Sequence, residues 1–183
     1  PRRKAEAEVV HQSHHDSLTG LPNRNLFMDR LTVALAQARR QDHMDAVLVV
    51  NLDRFKALND GRGYAAGDKA LRQVAERLKS RLSLGDTLAR LGGDEFGLIL
   101  TQALSSQDVA AAAESIREGF QQPLDLGGQE YHLGSSVGIS LFPSDGPDAE
   151  TLLKCADVAV FDAKEAGRGG HRYYSPALNA QTL

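Results

Sequence analysis

The stretch RLGGDEFGLIL, residues 90–100, limits the folds open to this chain more than any other. Two apolar runs meet at Gly92-Gly93, and paired glycines between strand-like runs mark a tight hairpin, because glycine takes up the left-handed backbone of such turns without strain. Residues 87–100 therefore predict two antiparallel strands. AVLVV, residues 46–50, is a short β-branched run and predicts a central strand. In YHLGSSVGISLF, Tyr131, Leu133, Val137, Ile139 and Leu141 fall at alternate positions, which predicts a strand with one apolar face. HRYY, 171–174, predicts a last strand.

Segments of helical period lie between these runs. Asn23 precedes Phe27, Leu31, Ala34, Leu35 and Ala38 and predicts a capped helix. Residues 65–82 place Leu71, Val74, Leu78 and Leu82 on one face. Residues 103–120 predict a helix with Ser106 as its cap, and about 148–166 another with Leu152, Leu153, Ala156, Val160 and Ala163 inward. Strands and helices alternate around glycine hairpins, which predicts an α/β sandwich of one mixed, partly antiparallel sheet with helices on its faces.

A chain of 183 residues fits one full-sized domain. Its net charge of −3 gives no basic excess for a nucleic-acid backbone. The single cysteine, Cys155, excludes an internal disulfide and fits a reducing compartment, so the expected location is the cytoplasm. No apolar run approaches the roughly 18–20 residues that span a bilayer, so no direct membrane contact is expected of this piece. The chain starts without methionine and reads as a fragment, whose parent could carry a membrane anchor ahead of it. Residues 1–15 read as a polar connector helix, 16–175 as the domain and 176–183 as a C-terminal linker.

The chemistry sits where Asp94 and Glu95 follow the glycine pair. Glycine turns leave backbone N–H groups bare for a phosphate, and an acid just beyond can hold Mg²⁺, which prefers oxygen ligands and bridges to substrate phosphates. The plain alternative is a hairpin tip with solvated acids. Gly61-Arg62-Gly63-Tyr64-Ala65-Ala66 has dinucleotide-fingerprint spacing, but the polar or mixed stretch before it separates it from the preceding strand. His11, His14 and His15 share a helical spacing with no completing ligand nearby except Asp16, and read as a solvated connector.

Gly92-Gly93-Asp94-Glu95-Phe96 resembles the signature of the GGDEF, or diguanylate cyclase, family. DSLTGLPNR (16–24), LDRFKALND (52–60) with Gly67-Asp68, and ADVAVFDAKEAGR (156–168) resemble further family segments in the family's order. The resemblance implies a palm-like, mainly antiparallel sheet flanked by helices, of nucleotide-cyclase type. It implies condensation of two GTP molecules into cyclic di-GMP in a homodimer, with Mg²⁺ or Mn²⁺ as the cofactor. Asp94 then matches the metal-binding acid and proton acceptor, and Glu95 beside it is counted with Asp94 and Lys56 as catalytic. Leu52 matches a main-chain carbonyl ligand of the metal, and Lys56 a cation that steadies the transition state. Asn59 and Asp68 match the guanine readers. Gly92, Gly93, Phe55 and Tyr64 complete the nucleotide site, and Lys164 and Arg168, four apart on the last helix, are expected to reach the terminal phosphates together.

Three departures qualify this picture. Asn51 stands where the family has a metal-binding aspartate, and Asp53, two residues along the expected strand, is a substitute carboxylate. Tyr64 stands where a histidine is common. The product-inhibition motif reads Ser83-Leu84-Gly85-Asp86, so Asp86 is present without its arginine and feedback inhibition is expected to be weak or absent. The alternative to a working cyclase is therefore a degenerate domain that binds GTP and regulates a neighbour. Residues 1–15 resemble a connector from an upstream sensor, and the C-terminal run resembles a linker into an EAL-type phosphodiesterase domain.

Overall fold

A computed structural model describes residues 13–103 and 105–175. The expected linker over 176–183, and all but the last three residues of the expected connector, lie outside the described residues. The elements run α1 (Arg24–Gln41), β1 (Met44–Leu52), α2 (Phe55–Arg62), α3 (Tyr64–Lys79), β2 (Thr87–Gly92), β3 (Glu95–Ala103), α4 (Ser106–Gly119), β4 (Leu124–Asp125), β5 (Glu130–Tyr131), β6 (Ser135–Phe142), α5 (Ala149–Glu165) and β7 (His171–Tyr173).

Five strands form one sheet in the order β2-β3-β1-β6-β7, and β4 and β5 pair separately. The β2–β3, β3–β1 and β1–β6 pairs are antiparallel. Only β7 runs parallel to its neighbour, β6, because α5 carries the chain across the sheet between them. The sheet is thus mainly antiparallel, as the resemblance implied.

Alternation along the strands divides the core between two faces. Leu48, Val50, Leu52, Phe96, Leu98, Val137 and Ile139 pack against α2, α3 and α4 through Leu58, Leu71, Val74, Leu78, Val109 and Ile116. Val47, Val49 and Ile99 pack against α1 and α5 through Phe27, Leu31, Leu35, Leu152, Leu153 and Ala156. No helix among the described residues is long and apolar enough to cross a membrane.

The structure corrects the sequence reading in several places. The central strand covers nine residues rather than five. The mixed stretch after it folds into α2, a short helix whose buried residues are Phe55 and Leu58. The helix expected over 65–82 ends at Lys79, and Ser105, not Ser106, caps α4 in a reciprocal box with Asp108. The run over 131–142 splits at His132–Gly134 into β5 and β6. Its second face is buried as well, with Ser136 and Ser140 fully buried. The Ser140 hydroxyl donates to the Leu152 carbonyl of α5 at 2.7 Å. Gly138 lies so close to α5 that an added Cβ would meet the Ala156 carbonyl oxygen at 2.1 Å. Small residues on this strand are what let the helix lie flat on the sheet.

Candidate active site at the glycine hairpin

Local rules bring the hairpin tip to the end of β1. Gly93 takes a positive φ of 45°, which a side chain would strain. The Leu52 N–H donates to the Asp94 carbonyl at 3.0 Å, joining the tip to the last residue of β1. Leu52 itself is buried, so its main chain is what it can offer a ligand. Gly92 and Gly93 are exposed and Asp94 half-buried beside them.

Register places Asn51 directly opposite Glu95 on β3 and Ser136 on β6. Opposed residues of an antiparallel pair share a face, so these three side chains all point toward α1 and α5. The Asn51 Oδ1 is buried with no hydrogen-bond partner. Asp53 lies beyond the strand end, its N–H donating to the Gly134 carbonyl at 2.9 Å. Its carboxylate accepts a 2.6 Å bond from the Ser136 hydroxyl, so it reaches the residue paired with Asn51.

Glu95 does not face the tip's solvent. Burial pushes its carboxyl up to about 7, and the neighbouring Asp157 carboxylate of α5 adds to the shift. Burial also raises Asp157, while Arg24, the first residue of α1, attracts both acids. Their mutual interaction raises Glu95 and lowers Asp157, so of the two Glu95 is the stronger proton holder. Arg24 and Asp157 escaped the residue-by-residue reading. The available signal was a charge beside the inward positions of an apolar helix, in Ala156-Asp157.

The second part of the site is built by α2 and α3. Asn59 and Asp68 are half-buried, and the Asn59 Oδ1 is buried without a partner. That oxygen lies against Gly67, where a Cβ would sit 1.9 Å from it, so the glycine makes room for the amide. Tyr64 opens α3 with 77% of its surface exposed. Lys56 is exposed on α2, whereas the Phe55 side chain is 8% exposed and belongs to the core, leaving its main chain for a ligand.

Lys164 and Arg168 do not share a helix as expected. α5 ends at Glu165, and Arg168 follows Gly167 in the left-handed conformation at φ 64°, its N–H donating to the Ala163 carbonyl. The glycine-rich turn ends the helix, so the two cations reach out from a helix end and a turn. Asp86 is not free to grip a ligand unaided: its carboxylate accepts from the Ser83 and Thr101 N–H groups at 3.3 and 3.4 Å. Beside it Leu84 is fully exposed.

Among the described residues no three acidic, histidine or cysteine side chains group closely enough to hold a metal by themselves. The oxygens near the tip fit a hard cation that keeps part of its shell for water and substrate phosphate, not a closed protein cage.

A palm of antiparallel strands with a glycine hairpin set beside the end of its central strand defines a nucleotide-cyclase-like domain. The chain belongs to the family described as diguanylate cyclase, GGDEF domain, whose model matches residues 13–170. It is 42% identical over 177 residues to the bifunctional diguanylate cyclase/cyclic di-GMP phosphodiesterase MucR of Pseudomonas aeruginosa, covering 97% of this chain and 26% of MucR. It is 41% identical over 167 residues to the diguanylate cyclase TpbB of the same organism, covering 91% of this chain and 38% of TpbB. A solved structure of the TpbB GGDEF domain superposes with a TM-score of 0.90 at 39% identity, covering 92% of this chain and 99% of that one. The chain therefore spans between a quarter and two fifths of the length of these curated relatives.

Proposed function

We propose that this domain condenses two GTP molecules into cyclic di-GMP, one held by each of two copies. Each 3′-hydroxyl loses its proton as its oxygen bonds to the α-phosphorus of the other GTP, and the bond to the β-phosphate oxygen breaks to release pyrophosphate. The Asp94 carboxylate takes the proton. The exposed Gly92 and Gly93 backbone, with Lys56, Lys164 and Arg168, neutralises phosphate charge. The Asn59 amide and Asp68 read the guanine edge, while Tyr64 stands exposed at the start of α3. Asp94 and the Leu52 carbonyl would hold Mg²⁺ or Mn²⁺, which would supply Lewis acidity at the reacting phosphate. Asn51 is a neutral donor in that set and Asp53 the nearest replacement carboxylate.

The observation that carries this reading is the hairpin tip's attachment to the end of β1 through Leu52 and Asp94, which gathers acid, exposed glycines and strand end at one point. A second reading, a GTP-binding regulator without turnover, is favoured by Asn51 alone. An amide cannot bridge two cations as a carboxylate does, and changes of this kind lower metal affinity or activity by roughly 10–100-fold or more. In either reading the likeness to MucR, named a bifunctional cyclase/phosphodiesterase, supports a tandem parent that also carries a phosphodiesterase domain, for which an EAL-type domain is proposed. Incubating the dimerised chain with GTP and Mg²⁺ or Mn²⁺, in parent and Asn51→Asp forms, separates the two. Cyclic di-GMP from the parent supports the cyclase; product from Asn51→Asp alone supports the regulator, and none from either overturns the cyclase.

A further inference from the structure

The hairpin tip is fastened by a side chain that the proposed chemistry does not use. The Arg90 guanidinium donates from Nε and Nη2 to the Gly93 carbonyl at 3.1 and 2.8 Å. Its third nitrogen, Nη1, donates to Asp16 Oδ1 at 3.0 Å. The other carboxylate oxygen, Oδ2, accepts from the Thr19 N–H and hydroxyl at 2.9 and 2.7 Å. The Arg90 N–H also donates to the Pro22 carbonyl at 2.9 Å. The pair is well sheltered, with the side chains 16% and 19% exposed. A chain of hydrogen bonds thus runs from the turn where the polypeptide enters the domain to the peptide bond that precedes Asp94.

We propose that Arg90 is a positioning residue that locks the Gly93–Asp94 peptide, and that Asp16 ties this lock to the entry turn. The fork makes the assignment. A guanidinium is planar and presents its donors in a fixed array, so two nitrogens hold one carbonyl while the third is aimed elsewhere. A lysine at this position has no such array and cannot hold both partners in the same geometry. Gly92 and Gly93 carry no side chains that could pack, so the tip has little else to hold it. Fixing the Gly93 carbonyl sets the plane of the following N–H and with it the direction of the Asp94 side chain. The Asp94 carbonyl in turn receives the Leu52 N–H, so the lock is transmitted to the end of β1. Because its far end is Asp16, tension or twist on the entering chain acts on the corner directly.

The proposal deepens the cyclase reading and rests on it for its catalytic consequence, but its principal readout is independent of turnover. The Leu52 amide is the reporter, since its hydrogen is held by the Asp94 carbonyl. In the 183-residue chain, Arg90→Lys is expected to speed Leu52 exchange on the order of tenfold while Val49 and Phe96 amides in the core stay within about twofold. Asp16→Asn keeps an oxygen for Thr19 but turns an N–H₂ group toward Arg90; it should speed Leu52 exchange less. Added to Arg90→Lys it should change nothing further. Unchanged Leu52 exchange, or a rise shared equally by the core amides, overturns the lock; additive effects of the two variants overturn the tie to Asp16. With active protein, Arg90→Lys should lower the rate of cyclic di-GMP formation by roughly 10–100-fold with GTP affinity kept within about threefold. Loosened exchange with full turnover overturns the positioning role. A parent that makes no product overturns the cyclase reading and leaves the exchange test to decide the lock.

Discussion

Restoring the acid at the end of β1 tests the electrostatics of the site as well as its chemistry. Asn51 and Glu95 are cross-strand partners. Opposed Cβ atoms sit about 4.5–5.5 Å apart, so Asn51→Asp places a second carboxylate roughly 5 Å from Glu95. Two like charges at that separation repel by about 3 kcal/mol at an effective dielectric of about 20. Both positions are only half-buried, and solvent screening brings this down to roughly 1–2 kcal/mol. In a domain of this size that lowers the melting temperature by roughly 2–8 °C. The deficit is expected only with Glu95 ionised, and burial with the Asp157 charge holds that carboxyl up to about 7. Thermal melts at about pH 8 in chelator should show the full deficit, melts at about pH 5.5 little of it. Mg²⁺ with a non-hydrolysable GTP analogue should offset it, because a cation held between Asp94 and the new carboxylate neutralises the charge that repels Glu95. An Asn51→Asp protein as stable as the parent at pH 8 without divalent ions, or a deficit unchanged at pH 5.5, refutes the reasoning.

Other outcomes follow from the same geometry. Glu95, raised from an ordinary 4.5 to about 7, keeps a proton in the folded chain that the unfolded chain has lost, so stability falls as pH rises through that window and stays lowered above it. Glu95→Gln should flatten this slope in chemical denaturation and gain on the order of 1 kcal/mol above pH 7, after allowance for its partial exposure. Gly67→Ala drives a methyl into the Asn59 Oδ1, so GTP-analogue affinity measured by calorimetry should fall by roughly tenfold or more with little change in melting temperature. Gly138→Ala meets backbone instead, the Ala156 carbonyl and the Val160 nitrogen, and should cost about 1–3 kcal/mol or more in denaturant titration. Titration with cyclic di-GMP should give weak or no heat at the Ser83–Asp86 turn, because the arginine is missing and Asp86 already accepts two backbone bonds; tight binding abolished by Asp86→Ala contradicts this.

What could be read from the sequence was whatever obeys a local rule. The glycine hairpin, the β-branched run and the Asn23 helix start depend on residues within a few positions, and all appear in the structure. α2 escaped because it opens from Arg54 in the left-handed region, without a side-chain cap, and is too short to repeat a stripe. Lys164 and Arg168 were placed on one helix because spacing alone does not say where Gly167 ends it. The burial of β6's second face is not legible from its serines and glycines, because those small residues are polar or featureless by themselves and are buried only where α5 lies on them. The Glu95–Asp157–Arg24 cluster and the Asp16–Arg90 pair join residues more than about 60 positions apart, which no periodicity encodes. The site therefore has two kinds of parts. Those that would touch GTP lie in short segments with recognisable spelling. Those that hold them in place are distant charges made neighbours by the sheet, and a sequence that keeps the first kind tells nothing of whether it keeps the second. At Asn51 both kinds meet: its neighbours across the ladder, Glu95 and Ser136, belong to the supporting set, so its effect on turnover depends on how far Asp157, Arg24 and Asp53 compensate for the missing charge.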